Sequence, residues 1–221
     1  MKSLAIVIPA RLQSTRFPNK MLCKLNDKTL IETVFEKCQE TGIPTYVLTD
    51  SDMIKDAIGD QCIITGNADN GTERCALASD YLNYQHFINV QGDMPDISKE
   101  IIFAVSDCLD NDNDVVTAYT EMNIDQRRDP NSVKIIHNGK HANWFCRASL
   151  EYGDHHLGIY GYKNSVLGSY MDLKKHKEEE IEKLEQLRWL QNGFKIGVTK
   201  VEFNGIEINT KEDLLKWQNQ V

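Results

Sequence analysis

A chain of 221 residues with 41% hydrophobic and 26% charged residues has enough material for the core of one α/β domain with a small appended lobe. Its formal net charge of −8 argues against nonspecific binding of DNA or RNA, although a nucleotide needs only a local cluster of cations. Six scattered cysteines without a C-x-x-C pair favour reduced thiols over a disulfide framework or zinc site, and no apolar run approaches the ~18 residues of a membrane span.

Leu4-Ala5-Ile6-Val7-Ile8 is a continuous apolar run, too short for a signal-peptide core and suited to a strand buried on both faces of a parallel sheet. It ends at Pro9, and the loop that follows carries Arg11, Ser14, Thr15, Arg16 and Lys20. Ligands of open α/β sheets sit beyond the carboxyl ends of the strands, where such cations suit a polyphosphate. On composition alone, a solvated basic loop is an equal account. There is no G-x-x-x-x-G-K-[ST] phosphate loop anywhere in the chain.

Leu30, Ile31, Val34, Phe35 and Cys38 recur at helical spacing within 29–39, and Gly42 follows as a terminator. A strand at 46–49, a short helix at 52–58 and a strand at 62–65 continue a β-α rhythm that predicts a parallel sheet with right-handed crossovers. Residues 66–74 read as a turn-rich loop entering a helix near Thr72. They serve either as an ordinary capped start or as a second ligand loop with a helix N-terminus facing the ligand. His86 to Gln91 is the next strand, and Asp93 stands at its carboxyl end, placed to hold a divalent cation or to cap the following helix. Ser98 is the nearer cap for that helix, which runs to Leu109.

A strand at 115–119 precedes a polar, loop-like stretch at 124–131. Residues 133–136 and 143–146 flank Asn138-Gly139 as a hairpin, and a strand follows at 155–162. This break in the rhythm predicts a sub-lobe at about 132–162 within a single domain spanning 1–221. One continuous helix is predicted over 178–191, then a strand at 194–201 and a last helix capped by Thr210 with Asp213.

Six stretches in order along the chain give it a family resemblance. They are Ile8-Pro9-Ala10-Arg11 with Ser14-Thr15-Arg16, Pro18 and Lys20; Gly71-Thr72-Glu73-Arg74; Asn89-Val90-Gln91-Gly92-Asp93 with Pro95; His156 to Tyr162; Leu184-Glu185-Gln186-Leu187-Arg188; and Asn209-Thr210 with Glu212-Asp213-Leu214. Together they resemble the CMP-Kdo synthetases, the 3-deoxy-manno-octulosonate cytidylyltransferases of the sugar nucleotidylyltransferase superfamily. The resemblance implies a Rossmann-like, mostly parallel sheet sandwiched by helices, of the nucleotide-diphospho-sugar transferase type. It also implies Mg²⁺-dependent transfer of CMP from CTP to Kdo, an acidic eight-carbon sugar, in the cytoplasm, by a homodimer serving bacterial surface polysaccharide synthesis.

By the same resemblance, Arg11, Lys20 and Asp93 are catalytic; Arg11, Ser14, Arg16, Lys20, Gly71 and Arg74 hold the nucleotide; and Gln91, Arg147, His156, Tyr160, Glu185 and Gln186 hold the sugar. Asp93 and Asn209 hold the metal. Without the motif, His156 reads as a structural histidine, and Glu185 and Gln186 as the solvated face of an amphipathic helix.

The chain departs from the family pattern at three places. Asn209 stands where the family carries an aspartate that ligates metal; Asn19 and Met21 replace Gly and Pro; Met94 follows Asp93, with Asp96 after Pro95. These departures motivate two alternatives: a related substrate such as an 8-amino-3,8-dideoxy-Kdo or a sialic-acid-like sugar, and a nucleotide- or sugar-binding protein impaired in catalysis.

Overall fold

A computed structural model describes residues 3–12, 17–109 and 113–219. The first apolar run forms β1 (Leu4–Pro9). Its Ile6 and Ile8 enter one hydrophobic cluster while Ala5 and Val7 enter another on the opposite face, so the strand is buried on both sides as its unbroken apolar pattern requires. Two-residue strands β2 (Lys24–Leu25) and β3 (Lys28–Thr29) pair across Asn26-Asp27, with Asn26 in the left-handed region at φ 56°. This small hairpin was not among the elements expected from the sequence.

Helix α1 (Leu30–Gln39) begins where expected, because Thr29 and Glu32 close a reciprocal capping box. Strand β4 (Thr45–Thr49), helix α2 (Asp52–Ile58), strand β5 (Cys62–Ile64), helix α3 (Gly71–Ser79) and strand β6 (His86–Val90) complete the alternation. These four strands lie in the order β5-β4-β1-β6, all parallel.

Beyond them come α4 (Lys99–Leu109), β7 (Val115–Thr120), α5 (Ile124–Arg128), β8 (Lys134–His137), β9 (Ala142–Cys146) and β10 (Asp154–Lys163). The short helices α6 (Asn164–Leu167), α7 (Lys177–Glu182) and α8 (Leu187–Gln191) precede β11 (Ile196–Lys200) and α9 (Lys211–Gln218). The nine-stranded sheet runs β11-β7-β10-β6-β1-β4-β5, with β8 and β9 branching from β10. Only β10 interrupts the parallel direction along this path, since it is antiparallel to both β6 and β7. The fold is thus the mostly parallel α/β sheet, flanked by helices, that the pattern predicted. All six cysteines are free thiols. Among the described residues, no helix is long and apolar enough to cross a membrane.

Three local expectations are corrected. The stretch predicted as loop at 124–131 contains α5, started by a capping box in which Asn123 and Gln126 exchange bonds. The hairpin loop is not the two-residue Asn138-Gly139 turn: His137 pairs with Ala142, and the Asn138 side chain accepts from the N–H groups of Lys140 and His141. The helix predicted over 178–191 is two helices, broken at Lys183, which sits in the left-handed region at φ 55°. An uninterrupted helix would have buried Ile181, which is instead 73% exposed.

Candidate active site

A cavity of about 630 Å³ opens at the carboxyl ends of β1 and β6, where the topology places ligands. Of the residues singled out in the sequence, Arg11, Lys20, Gly71, Arg74, Gln91, Asp93, Arg147, His156, Tyr160, Glu185, Gln186 and Asn209 all line it. Ser14 and Arg16 lie outside the described residues.

Lys20 is buried in a single turn at 20–22 and donates to Asp93 Oδ2 at 2.6 Å. Asn19 takes φ 55° just before it, so the asparagine supplies the left-handed backbone this turn needs. Met21 is buried beneath Gly92, where a Cβ would come within 3.0 Å of its sulfur. The lysine loop is thereby seated directly on the Asp93 turn.

The C-terminal segment meets the same turn. The Ile208 N–H donates to the Asp93 carbonyl at 2.9 Å, and Ile208 itself is fully buried, so its neighbours Glu207 and Asn209 fall on the cavity wall. Asp96 braces this arrangement, accepting from the Ile206 N–H at 2.9 Å and from Trp217 Nε1 at 2.8 Å. Met94 is 0% exposed and belongs to the core. The unusual residues after Asp93 therefore have structural work: one fills the core and the other ties the chain end to the site.

Glu207 was not found by sequence reading, because a lone glutamate before a helix carries no signal. Its Oε1 is buried without a hydrogen-bond partner. Burial and the nearby Asp93 carboxylate push its pKa up to about 7. The oxygen set of Asp93, Glu207 and Asn209 fits a hard divalent cation. No group of three or more acidic, histidine or cysteine side chains is clustered for a metal among the described residues.

The opposite wall comes from β10 and the broken helix. β10 shifts register between Leu157 and Tyr160, and Gly158 lies there with Gln91 Cγ 3.0 Å from where a Cβ would stand. Gly71 makes a similar approach to Gln91 Nε2 at 3.1 Å, so the two glycines bracket that side chain. Thr117 Oγ1 donates to the Ile159 carbonyl at 2.7 Å, which spends its only proton. His156 Nε2, 3.0 Å from the same hydroxyl, must then be the donor, leaving Nδ1 as an acceptor. Burial, with His155 and Arg147 nearby, lowers the His156 pKa to about 3 and keeps the ring neutral. Tyr160 lies 5.4 Å from that ring and stacks on Tyr162, and its hydroxyl is held well above the usual range by burial.

The break at Lys183 turns residues 184–186 inward. Glu185 accepts from the N–H groups of Gly71 and Thr72 at 2.9 and 3.2 Å and from Thr72 Oγ1 at 2.9 Å. The start of α3 thus binds a carboxylate of its own chain, which favours the first of the two readings of this segment, an ordinary capped start. Burial pushes the Glu185 pKa up against those bonds. Gln186 is 2% exposed, and its Nε2 has no partner. Without the motif both residues read as solvent-facing on a regular helix; the structure buries Gln186, leaves Glu185 half-buried and sets both on the cavity wall.

Two cations are tied into the frame. Arg74 is buried and donates to Thr65 Oγ1 at 2.6 Å and to Asp50 Oδ2 at 2.7 Å, so at the cavity edge it braces β4, β5 and α3 together. Arg147 donates to the carbonyls of Glu182 at 3.1 Å and Asn131 at 3.0 Å. Its own carbonyl accepts from Lys134 Nζ, a fully buried ammonium that also binds the carbonyls of Asp129 and Ser132. The Lys134 pKa is lowered, chiefly by burial. This lysine also escaped the sequence analysis, since nothing in β8 marks an inward-pointing cation.

The profile of the cytidylyltransferase family matches residues 5–196. The chain is 36% identical over 231 aligned positions to the 3-deoxy-manno-octulosonate cytidylyltransferase of Rickettsia prowazekii, covering 97% of this chain and 94% of the relative. It is 35% identical to the enzyme of that name from Bartonella bacilliformis, covering 96% and 95%. A CMP:2-keto-3-deoxy-manno-octonic acid synthetase solved in complex with CTP superposes with a TM-score of 0.93 at 28% identity, over 99% of this chain and 98% of the other.

Proposed function

Since the chain belongs to the 3-deoxy-manno-octulosonate cytidylyltransferase family, we propose that it transfers CMP from CTP to Kdo and releases pyrophosphate. The observation that carries this reading is the Lys20–Asp93 pair at the floor of the cavity, where the carboxyl ends of β1 and β6 adjoin.

In the proposed reaction the anomeric hydroxyl attacks the α-phosphorus, the bond to the β-phosphate bridging oxygen breaks, and the hydroxyl proton is released. Arg11 and Lys20 bind the triphosphate and offset the charge that builds on the departing pyrophosphate, the main contribution in such transfers. Ser14, Arg16 and Gly71, whose lack of a side chain leaves room at the cavity wall, complete the nucleotide's surroundings, while Arg74 keeps their walls in place. Asp93 and Asn209 would hold Mg²⁺, which would supply Lewis-acid polarisation of the phosphate and lower the proton affinity of the attacking hydroxyl.

Arg147 takes the sugar carboxylate, because a guanidinium fork matches two carboxylate oxygens. His156 Nδ1 accepts from a sugar hydroxyl, and Gln186 Nε2, buried and unpartnered, donates to another. Gln91, Tyr160 and Glu185 close the same wall. The family likeness supports cytoplasmic residence beside the CTP supply and a two-copy assembly.

The test is pyrophosphate release with CTP, Mg²⁺ and Kdo, with ATP, GTP and UTP as controls. Release that requires both CTP and Kdo is expected. Tight CTP binding with no release on Kdo, on amino-substituted Kdo or on sialic acid would overturn the assignment as an enzyme.

A further inference from the structure

Asn209 contributes a neutral amide oxygen to the wall beside Asp93, and an amide holds a divalent cation less strongly than a carboxylate does. The same wall contains a second carboxylate. Glu207 precedes Asn209 by two positions, with the fully buried Ile208 between them and hydrogen-bonded to Asp93, so both side chains fall on the cavity side. The immediate surroundings of Glu207 are Asp93, Lys20, Arg147 and the Gly158 backbone, which donates a hydrogen bond to the carboxylate.

Two carboxylates on one shielded wall repel each other, and Lys20 is already engaged with Asp93 at 2.6 Å. Glu207 Oε1 nevertheless is buried with no hydrogen-bond partner. A buried carboxylate oxygen without a donor is costly unless a cation completes it.

We infer that Glu207 is a further ligand of the divalent cation, supplying from two residues away the negative charge that Asn209 lacks. The site thus keeps two carboxylates, Asp93 and Glu207, with the amide of Asn209 as a neutral neighbour. This rests on the proposed function only in placing the cation with the nucleotide.

The experiment titrates Mn²⁺ into the full-length protein with CTP present, following free Mn²⁺ by electron paramagnetic resonance. It compares the unaltered chain with Glu207→Gln, Asn209→Asp and the double variant. Glu207→Gln is expected to weaken Mn²⁺ binding by about tenfold or more, while metal-free CTP affinity stays unchanged. The double variant moves the charge back to position 209 and is expected to recover most of that loss.

Mn²⁺ affinity within about twofold of the unaltered chain in Glu207→Gln would overturn the inference. A loss that the double variant does not recover would place the effect in the fold and overturn it equally. If Glu207→Gln keeps its Mn²⁺ affinity but selectively loses turnover of an amino-substituted Kdo, the carboxylate belongs to the sugar's ammonium instead. Pyrophosphate release by the unaltered chain is judged separately. Its absence alongside Glu207-dependent Mn²⁺ binding would remove the proposed reaction and leave the ligand standing.

Discussion

His156 shows how one backbone irregularity sets the chemistry of a side chain. The register shift in β10 brings the Ile159 carbonyl to Thr117, and the resulting bond fixes which imidazole nitrogen carries the proton. The ring then stays neutral because burial removes its charged form. An unfolded histidine takes up a proton near pH 6.5, whereas this one does so only near pH 3. The unfolded state therefore binds more protons between those values, and stability is lost as pH falls below 6.5, with a limiting slope of about 1.4 kcal/mol per pH unit. Urea unfolding at a series of pH values should show this loss. The His156→Gln chain, which keeps a donor but cannot titrate, should show a correspondingly shallower decline. An identical decline in both would mean that other groups carry the effect.

Among the elements, the broken helix teaches most about what the sequence could disclose. Its apolar residues were visible, and so were its two polar site residues, but the position of the break was not. Leu184 and Leu187 continue a helical period through Lys183, and a lysine carries no stop signal. The break is driven by tertiary contacts. Glu185 is captured by the first turn of α3, and Arg188 forms a buried fork on Glu179 at 2.6 to 3.2 Å while lying over the Tyr170 ring. A straight helix could not satisfy both. Lys183→Gly should relieve the left-handed strain by about 1 kcal/mol and raise Tm by about 2–4 °C, as read by calorimetry. A fall in Tm would show that the lysine side chain contributes more than its backbone costs.

Other elements were legible because their signals are local. The unbroken apolar β1 and the Thr210 cap specify their own structure. Lys134 and Glu207 were not legible, since only the assembled walls decide which way such side chains point.

On the scale of the whole molecule, the site is closed by joining distant parts of the chain. Trp217 and Ile206 reach back to Asp96, and Ile208 to Asp93, so the last helix fixes the wall that carries Glu207 and Asn209. Asp96→Ala removes two acceptor bonds and leaves both donors unsatisfied. A stability loss of about 2 kcal/mol is expected by urea unfolding, together with weaker Mn²⁺ binding, although Asp96 touches no ligand. Unchanged Mn²⁺ affinity would mean that the wall holds its shape without this brace.

The inverted strand β10 has a consequence for the order in which the molecule is made. Its neighbours β6 and β7 both precede it in the chain, and it alone joins the parallel group β5-β4-β1-β6 to the pair β7-β11. During synthesis, a chain that has not yet extended past Asp154 carries β6 with one edge unpaired and β7 with both, because β11 also lies downstream. Insertion of β10 covers the open edge of β6 and one edge of β7 in a single event, leaving the other edge of β7 for β11, and most of these pairings span long loops that are slow to close. Until then the nascent protein is most exposed to mispairing with another copy, so its vulnerability is concentrated in the interval between the emergence of β7 and the docking of β10 and β11.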